Sequence, residues 1–297
     1  MRIVVSGADG LIGSALVERL RRDGDEVVRL VRRPARGADE SAWDPSSGRI
    51  DRRVIASADA VVNLSGASIG RLPWTPRYKR TILESRLSTT STLAQAIAES
   101  PAPPSVFVSA SAAGYYGSRP GEVLDESSAG GTGFLSGVTV AWERAARGAA
   151  DATRVVLART GIVVATDGVL KPLIPLTRFG ASGPLGGGRQ YWPWVSLDDE
   201  VGGLVHALRG EVSGPVNLVG PTPATADELM RGLADRLSRP YWLPAPAFAI
   251  RAALGDAADD LLLIDQRIEP HVLGSGGYSF RHRTVSDALD AALSARA

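Results

Sequence analysis

Within its first twenty residues the chain passes from a β-branched run, Ile3-Val4-Val5, into Gly7-Ala8-Asp9-Gly10-Leu11-Ile12-Gly13. Leu11, Ile12, Ala15, Leu16 and Leu20 then recur at helical spacing. No other feature restricts the fold as strongly. A G-x-x-G-x-x-G turn between a strand and a helix suits a dinucleotide site. The first glycine permits the tight turn, the second lets the backbone approach a pyrophosphate, and the third lets helix and strand pack closely. The amides at the helix start receive the anion. A glycine triplet alone also marks ordinary turns; its place between strand and helix carries the reading.

The same alternation continues. Arg2–Ser6, Glu26–Val31, Ala60–Leu64, Ser105–Ser109, Arg154–Ala158 and Gly161–Ala165 read as strands, with Leu11–Arg22, Leu83–Glu99 and Ala141–Ala150 as helices between them. Strands separated by helices imply βαβ units and an α/β fold with a parallel, doubly wound sheet. Beyond residue 166 the texture changes to a Gly/Pro-rich loop over 180–188 and the aromatic patch Tyr191-Trp192-Pro193-Trp194. Helices at Val201–Leu208 and Thr225–Leu237 and a strand at Pro215–Val219 follow.

Composition removes whole classes of function. Lys+Arg 33 against Asp+Glu 32 argues against a basic nucleic-acid or membrane binder. With Cys 0 there is no disulfide framework, thiol nucleophile or thiolate metal site. His206, His271 and His282 are too dispersed for a metal site, so no metal is expected. No apolar run approaches membrane-helix length, and Met1-Arg2 leads straight into the first strand, leaving no signal-peptide core. The expectation is a cytoplasmic protein with a small-molecule substrate.

The end of the second strand bears on the choice of dinucleotide. An NAD site wants an acid about 20 residues past the glycines, for the ribose hydroxyls. This chain has Val31-Arg32-Arg33 there, and Asp25 lies at the wrong end of the strand. Guanidinium groups match a 2′-phosphate, which favours NADP(H); the plain alternative is two solvent-exposed arginines.

These residues, together with Asp59-Ala-Val-Val-Asn63-Leu-Ser-Gly66, Ser85-Arg86, Val108-Ser109-Ala110-Ser111-Ala-Ala-Gly-Tyr115-Tyr116-Gly117 and Arg159-Thr-Gly161-Ile-Val, resemble the extended short-chain dehydrogenase/reductase superfamily. With Gly183–Gln190, Trp194–Asp199 and the tail from Pro246 through Gln266-Arg267 to Phe280, the chain is similar to the branch labelled sugar-nucleotide epimerase-like or cell-division-inhibitor-like. The resemblance implies a Rossmann-type domain over residues 1–165, with 196–222 returning to it. A smaller C-terminal α/β substrate lobe would comprise 166–195 and 223–297. It further implies that Asn63, Leu64, Ser65 and Gly66 line the cofactor, that Ser109, Ala110 and Ser111 approach the nicotinamide, and that Arg159, Thr160 and Gly161 close over it. Many members form dimers, so a homodimer is the corresponding expectation.

Hydride transfer in this superfamily pairs a tyrosine acid/base with a lysine four residues later. None of Tyr78, Tyr115, Tyr116, Tyr191, Tyr241 and Tyr278 has a lysine at that spacing, and aligned through Glu143 the two slots fall near Leu135 and Thr139. Tyr115 or Tyr116 is the remaining candidate proton donor, with Ser111 as hydrogen-bond partner. Lys79 is a candidate for phosphate or substrate contact. Arg189 suits an anionic group beneath an aromatic lid of Trp192 and Trp194, the alternative being a structural loop over core tryptophans. Asp198 and Asp199 read as helix N-caps. Two functions follow: an NADP(H)-binding epimerase-like oxidoreductase with a nonstandard proton-transfer group, or a catalytically silent NADP-sensing regulatory or interaction protein.

Overall fold

The computed structural model describes residues 1–294. Strand β1 (Arg2–Ser6) passes through the glycine turn into α1 (Leu11–Arg22). Then come β2 (Glu26–Val31), β3 (Glu40–Ala42), α2 (Arg52–Ala56), β4 (Ala60–Asn63), α3 (Pro76–Ala98) and β5 (Val106–Ala112). The chain continues through β6 (Val123–Leu124), α4 (Phe134–Ala146), β7 (Arg154–Thr160), β8 (Ile162–Val164), α5 (Leu170–Arg178), β9 (Tyr191–Trp192) and β10 (Trp194–Ser196). Next are α6 (Leu197–Arg209), β11 (Gly214–Leu218), β12 (Ala224–Thr225) and α7 (Ala226–Arg236). The last elements are α8 (Ala247–Leu254), α9 (Ala257–Leu261), β13 (Arg267–Ile268), α10 (His271–Ser275) and α11 (Val285–Ser294).

Seven strands form one sheet in the order β11-β7-β5-β4-β1-β2-β3, and every pairing in it is parallel. The order reverses at β1, so a crevice opens beyond the carboxyl ends of β1 and β4, where open α/β sheets take ligands. Both faces of the sheet are covered, which is why its strands are continuous apolar runs. Leu16, Leu20, Leu204 and Leu208 from α1 and α6 pack on one face; Leu93 and Ile97 of α3, with Phe107 and Trp43, fill the other. A third cluster joins α5, α7 and α11 through Leu173, Leu229, Leu233 and Leu289 around Trp192 and Trp194.

Several boundaries differ from the sequence reading, three of them for an identifiable local reason. Helix α3 begins at Pro76 rather than Leu83, because the Thr75 side chain caps it and a proline suits the first helical position. Helix α4 begins at Phe134, directly after Gly133 with φ +108. Strand β5 runs on to Ala112, its weakly strand-forming Ser-Ala-Ser held by β7 in a register that sets Ser111 opposite Arg159. Among the described residues no helix is long and apolar enough to cross a membrane, and no cluster of three or more His, Asp or Glu is placed to hold a metal.

Candidate functional site

The opening turn contains two kinds of glycine. Gly7 has φ +73, and a Cβ there would stand 2.6 Å from the Leu64 carbonyl; one on Gly13 would stand 2.1 Å from the Gly7 oxygen. The protein's own packing dictates both. Gly10 differs: it sits at φ −78 as the N-cap of α1, and a Cβ would meet only Gly7 O at 3.4 Å. Nothing in the protein needs that side chain to be missing. No side chain among the described residues caps α1, so the amides of its first turn, over Leu11 and Ile12, have no side-chain partner. Ala8 is buried and serves the packing, whereas Asp9 is exposed.

At the carboxyl end of β4, Asn63 is fully buried. Its Oδ1 accepts from Ser6 Oγ at 2.7 Å and from Ser65 N at 3.2 Å, and its Nδ2 donates to Thr90 Oγ1 at 2.8 Å. This corrects the expectation that Asn63 lines the crevice: every polar atom is spent holding the loop, and Leu64, Ser65 and Gly66 form the surface. Behind Gly66 lies Arg86 of α3, a partly buried guanidinium 5.0 Å from the centroid of the Trp142 ring.

Beyond β2, Arg32 is exposed and makes no ion pair among the described residues, whereas Arg33 is forked onto Glu40 through two 2.7 Å hydrogen bonds. Arg29 reaches the same carboxylate at 2.9 Å. The Arg33 hydrogen bonds, aided by the Arg36 amide, hold Glu40 down at about 2. This acid escaped the sequence reading because it lies on β3; only the register that pairs Arg29 with Glu40 reveals it. Arg32 and Arg33 line a cavity of about 850 Å3 with Trp43, Asp44, Arg49 and Thr92.

A buried polar network occupies the carboxyl ends of β5 and β7. Ser111 Oγ donates to Glu143 Oε1 at 2.7 Å, and Arg159 donates to the same carboxylate through Nε at 2.8 Å and Nη2 at 3.1 Å. Arg159 Nη1 also donates to the Tyr116 hydroxyl at 2.9 Å, and that hydroxyl donates to Asn217 Oδ1 at 2.7 Å. Burial pushes the Tyr116 phenol up to about 12. Tyr116 is therefore corrected from candidate donor to buried strut, and Ser111 partners Glu143 rather than a tyrosine. Tyr115 is half-buried, its ring 3.5 Å beneath the Arg159 guanidinium, and its hydroxyl bonds to no protein atom among the described residues. Arg159 is itself buried, so it supports the crevice floor instead of closing over it.

Next to it, Thr160 Oγ1 lies 2.8 Å from Oε1 of Glu200, whose carboxyl is fully buried with Oε2 unpartnered. Burial pushes Glu200 up to about 8. Gly161 must be glycine because a Cβ would stand 2.0 Å from Pro193 O. Ser109 is fully buried, its hydroxyl donating to Ala110 O at 3.1 Å, while Ala110 is partly exposed.

The expected substrate contacts are not brought together. Lys79 pairs with Asp256 and lies over the Phe134 ring, tying α3 to the turn between α8 and α9. Trp192 is a core residue, not a lid: it is 1% exposed and its Nε1 donates to Leu262 O at 3.2 Å. Arg189 is exposed at the end of the glycine loop. Ser196, not Asp198 or Asp199, caps α6; the buried Asp199 carboxylate accepts from the Arg281 and His282 amides at 2.8 and 2.9 Å and from the Tyr278 hydroxyl at 3.0 Å.

A model of the NAD dependent epimerase/dehydratase family matches residues 3–139, and one described as a domain of unknown function (DUF1731) matches 245–292. Epimerase family protein ML0860 of Mycobacterium leprae is 43% identical, over 97% of this chain and 94% of its own. Human epimerase family protein SDR39U1, in a crystal structure with NADPH, superposes with a TM-score of 0.91 at 34% identity, covering 99% of each chain. A nucleoside-diphosphate sugar epimerase from Corynebacterium glutamicum gives 0.81 at 31% identity, with 99% of this chain matching 58% of that one.

Proposed function

This chain belongs to the NAD dependent epimerase/dehydratase family, and on that footing we propose that it is an NADP(H)-binding, epimerase-like oxidoreductase acting on a small polar or nucleotide-linked carbonyl or alcohol. The observation that carries the proposal is Gly10, bare of a side chain at a position where the protein would accept one, directly over an uncapped helix start. The NADPH bound to the human relative supports the choice of cofactor.

In this reading residues 1–165 and 196–222 bind the cofactor, and 166–195 with 223–297 hold the substrate. The amides of Leu11 and Ile12 take the pyrophosphate, Arg32 with the Glu40-anchored Arg33 takes the 2′-phosphate, and Ala110, Ser111, Tyr115 and Thr160 surround the nicotinamide end. When bound, the nicotinamide supplies or accepts hydride. The protein's own part is to hold a proton at the Tyr115 hydroxyl, the one phenol of this cluster not spent on a protein partner. Glu143 fixes Ser111 and Arg159, and Arg159 in turn holds the Tyr115 ring from its face.

A silent sensor is the second reading, favoured by the pairing of Glu143 with Arg159, which commits the carboxylate to a cation rather than leaving it free as a base. Calorimetric titration with NADPH and NADP tests the site; absence of binding refutes both readings. Hydride exchange from 4-deuterated NADPH in the presence of nucleotide sugars separates the enzyme from the sensor, and Tyr115→Phe abolishes the exchange if the phenol is the donor.

A further inference from the structure

Among the described residues Arg86 is a cation without a counter-ion. It stands partly buried between the Trp142 ring and the backbone of Gly66, where a Cβ would come within 3.2 Å of its Cζ. Its Nη1 donates to Ala67 O at 3.1 Å and to Ile82 O at 3.0 Å; Nε and Nη2 donate to no protein atom among the described residues. No carboxylate among the described residues reaches it. The nearby phenol of Tyr78 is committed to Ser68 O. Burial holds the guanidinium down at about 10, only partly offset by the Tyr78 phenol.

The comparison with other withdrawn arginines of this chain is informative. Arg159 is neutralised by Glu143, and Arg29 by Asp39 and Glu40. Arg154 forms no ion pair among the described residues, with Glu211 acting on it only from a distance, but it caps the carboxyl end of α6 through Ala207 O and Leu208 O, where the helix dipole favours a cation. Arg86 has neither an acid nor a helix end among the described residues. Its free Nε–Nη2 edge is the same edge by which Arg159 grips Glu143, the geometry that matches a carboxylate or phosphate with two parallel hydrogen bonds. A withdrawn charge with an open fork is compensated when an anion arrives.

Position decides which anion. The cofactor's diphosphate belongs to the α1 start, across β1. Arg86 stands on α3, the helix that follows β4, backed by Trp142, whose neighbour Glu143 holds Ser111 at the nicotinamide end. We propose that Arg86 is an anion-binding residue of the substrate site, receiving a carboxylate or phosphate of the substrate on Nε and Nη2 beside Gly66. The proposal rests on the cofactor crevice described above and narrows the substrate to an anionic one.

The test titrates the full-length, NADPH-loaded protein with inorganic phosphate and, separately, with glutarate at constant ionic strength, comparing wild type with Arg86→Gln and Arg86→Lys. The expected result is saturable binding of at least one anion to wild type, tenfold or more weaker in both variants, with NADPH affinity unchanged within about twofold. The arm that responds identifies the substrate's anionic group. Arg86→Lys keeps the charge without the fork, so it carries the test if Arg86→Gln does not fold. Equal anion binding in wild type and variants, or none in wild type, overturns the proposal. So does a parallel loss of NADPH affinity, which would assign Arg86 to the cofactor. Wild-type protein that binds an anion through Arg86 but no NADPH refutes the cofactor reading alone.

Discussion

The Glu143 carboxylate grips Arg159 with Oε1 2.8 Å from Nε, and neither side chain is more than 2% exposed. A pair so far from water depends on both members, because removing one leaves the other charged, desolvated and alone. Glu143→Ala is expected to lower unfolding stability by roughly 3–5 kcal/mol in a urea titration. The double variant Glu143→Leu/Arg159→Met should lose much less than the two single losses combined; additive losses would show that the pair is not coupled.

The glycines of the opening turn should separate binding from folding. Gly10→Ala keeps its stability within about 1 kcal/mol, since its backbone is ordinary and its Cβ finds room, but weakens NADPH at least tenfold. Gly13→Ala pushes a methyl into the Gly7 carbonyl and loses the fold along with the ligand. Thermal melts beside NADPH titrations read the difference. A Gly10→Ala protein that binds NADPH at full strength would remove the main support for the cofactor site.

Cofactor choice should reside in Arg32 and in the anchor of its neighbour. Arg32→Ala is expected to cost about tenfold or more in NADPH affinity and nothing for NADH, because a hydrogen bond to a charged phosphate is worth about 1.5–3 kcal/mol. Glu40→Gln loosens Arg33 and should blur the same preference more mildly. Equal losses for both dinucleotides would move these arginines out of the site.

The parallel sheet was legible in the sequence because its signals are local: unbroken Ile/Val runs, and helical periodicity that starts after a glycine and stops before a proline. The glycine turn was legible for the same reason. The polar network was not. Ser111, Glu143, Arg159, Tyr116 and Asn217 come from four segments separated in sequence, and the β5–β7 and β7–β11 registers and the packing of α4 bring them together. Glu143 served in the sequence only to align the empty tyrosine and lysine slots, and nothing local pointed to Arg159 as its partner. Trp192 misled in the opposite sense, its aromatic neighbours suggesting a lid where the fold needed a core. The epimerase-family resemblance, by contrast, spanned enough separate motifs to hold along nearly the whole chain.

Glu200 makes stability depend on pH in a defined direction. Its ordinary value is 4.5 and burial raises it to about 8 in the folded chain. Below the ordinary value both states carry the proton and stability is full. Between the two values the unfolded chain ionises while the native one stays protonated, so stability falls as pH rises, levelling off above about 8. Glu200→Gln lacks this dependence. The stability of wild type relative to Glu200→Gln should therefore decline by on the order of a few kcal/mol between acid and mildly alkaline pH. Parallel curves for the two proteins would disprove the assignment.

The clasp around Asp199 has a consequence for how the chain can be shortened. The backbone that satisfies this carboxylate arrives from more than eighty residues downstream, yet the acid stands at the start of the helix that covers one face of the main sheet. Trimming the protein before Tyr278 would strip a buried anion of three donors at once, so the damage would be felt beneath the nucleotide crevice rather than at the cut. The tail functions as a keystone, and a shortened protein that melts early would be reporting on its sheet.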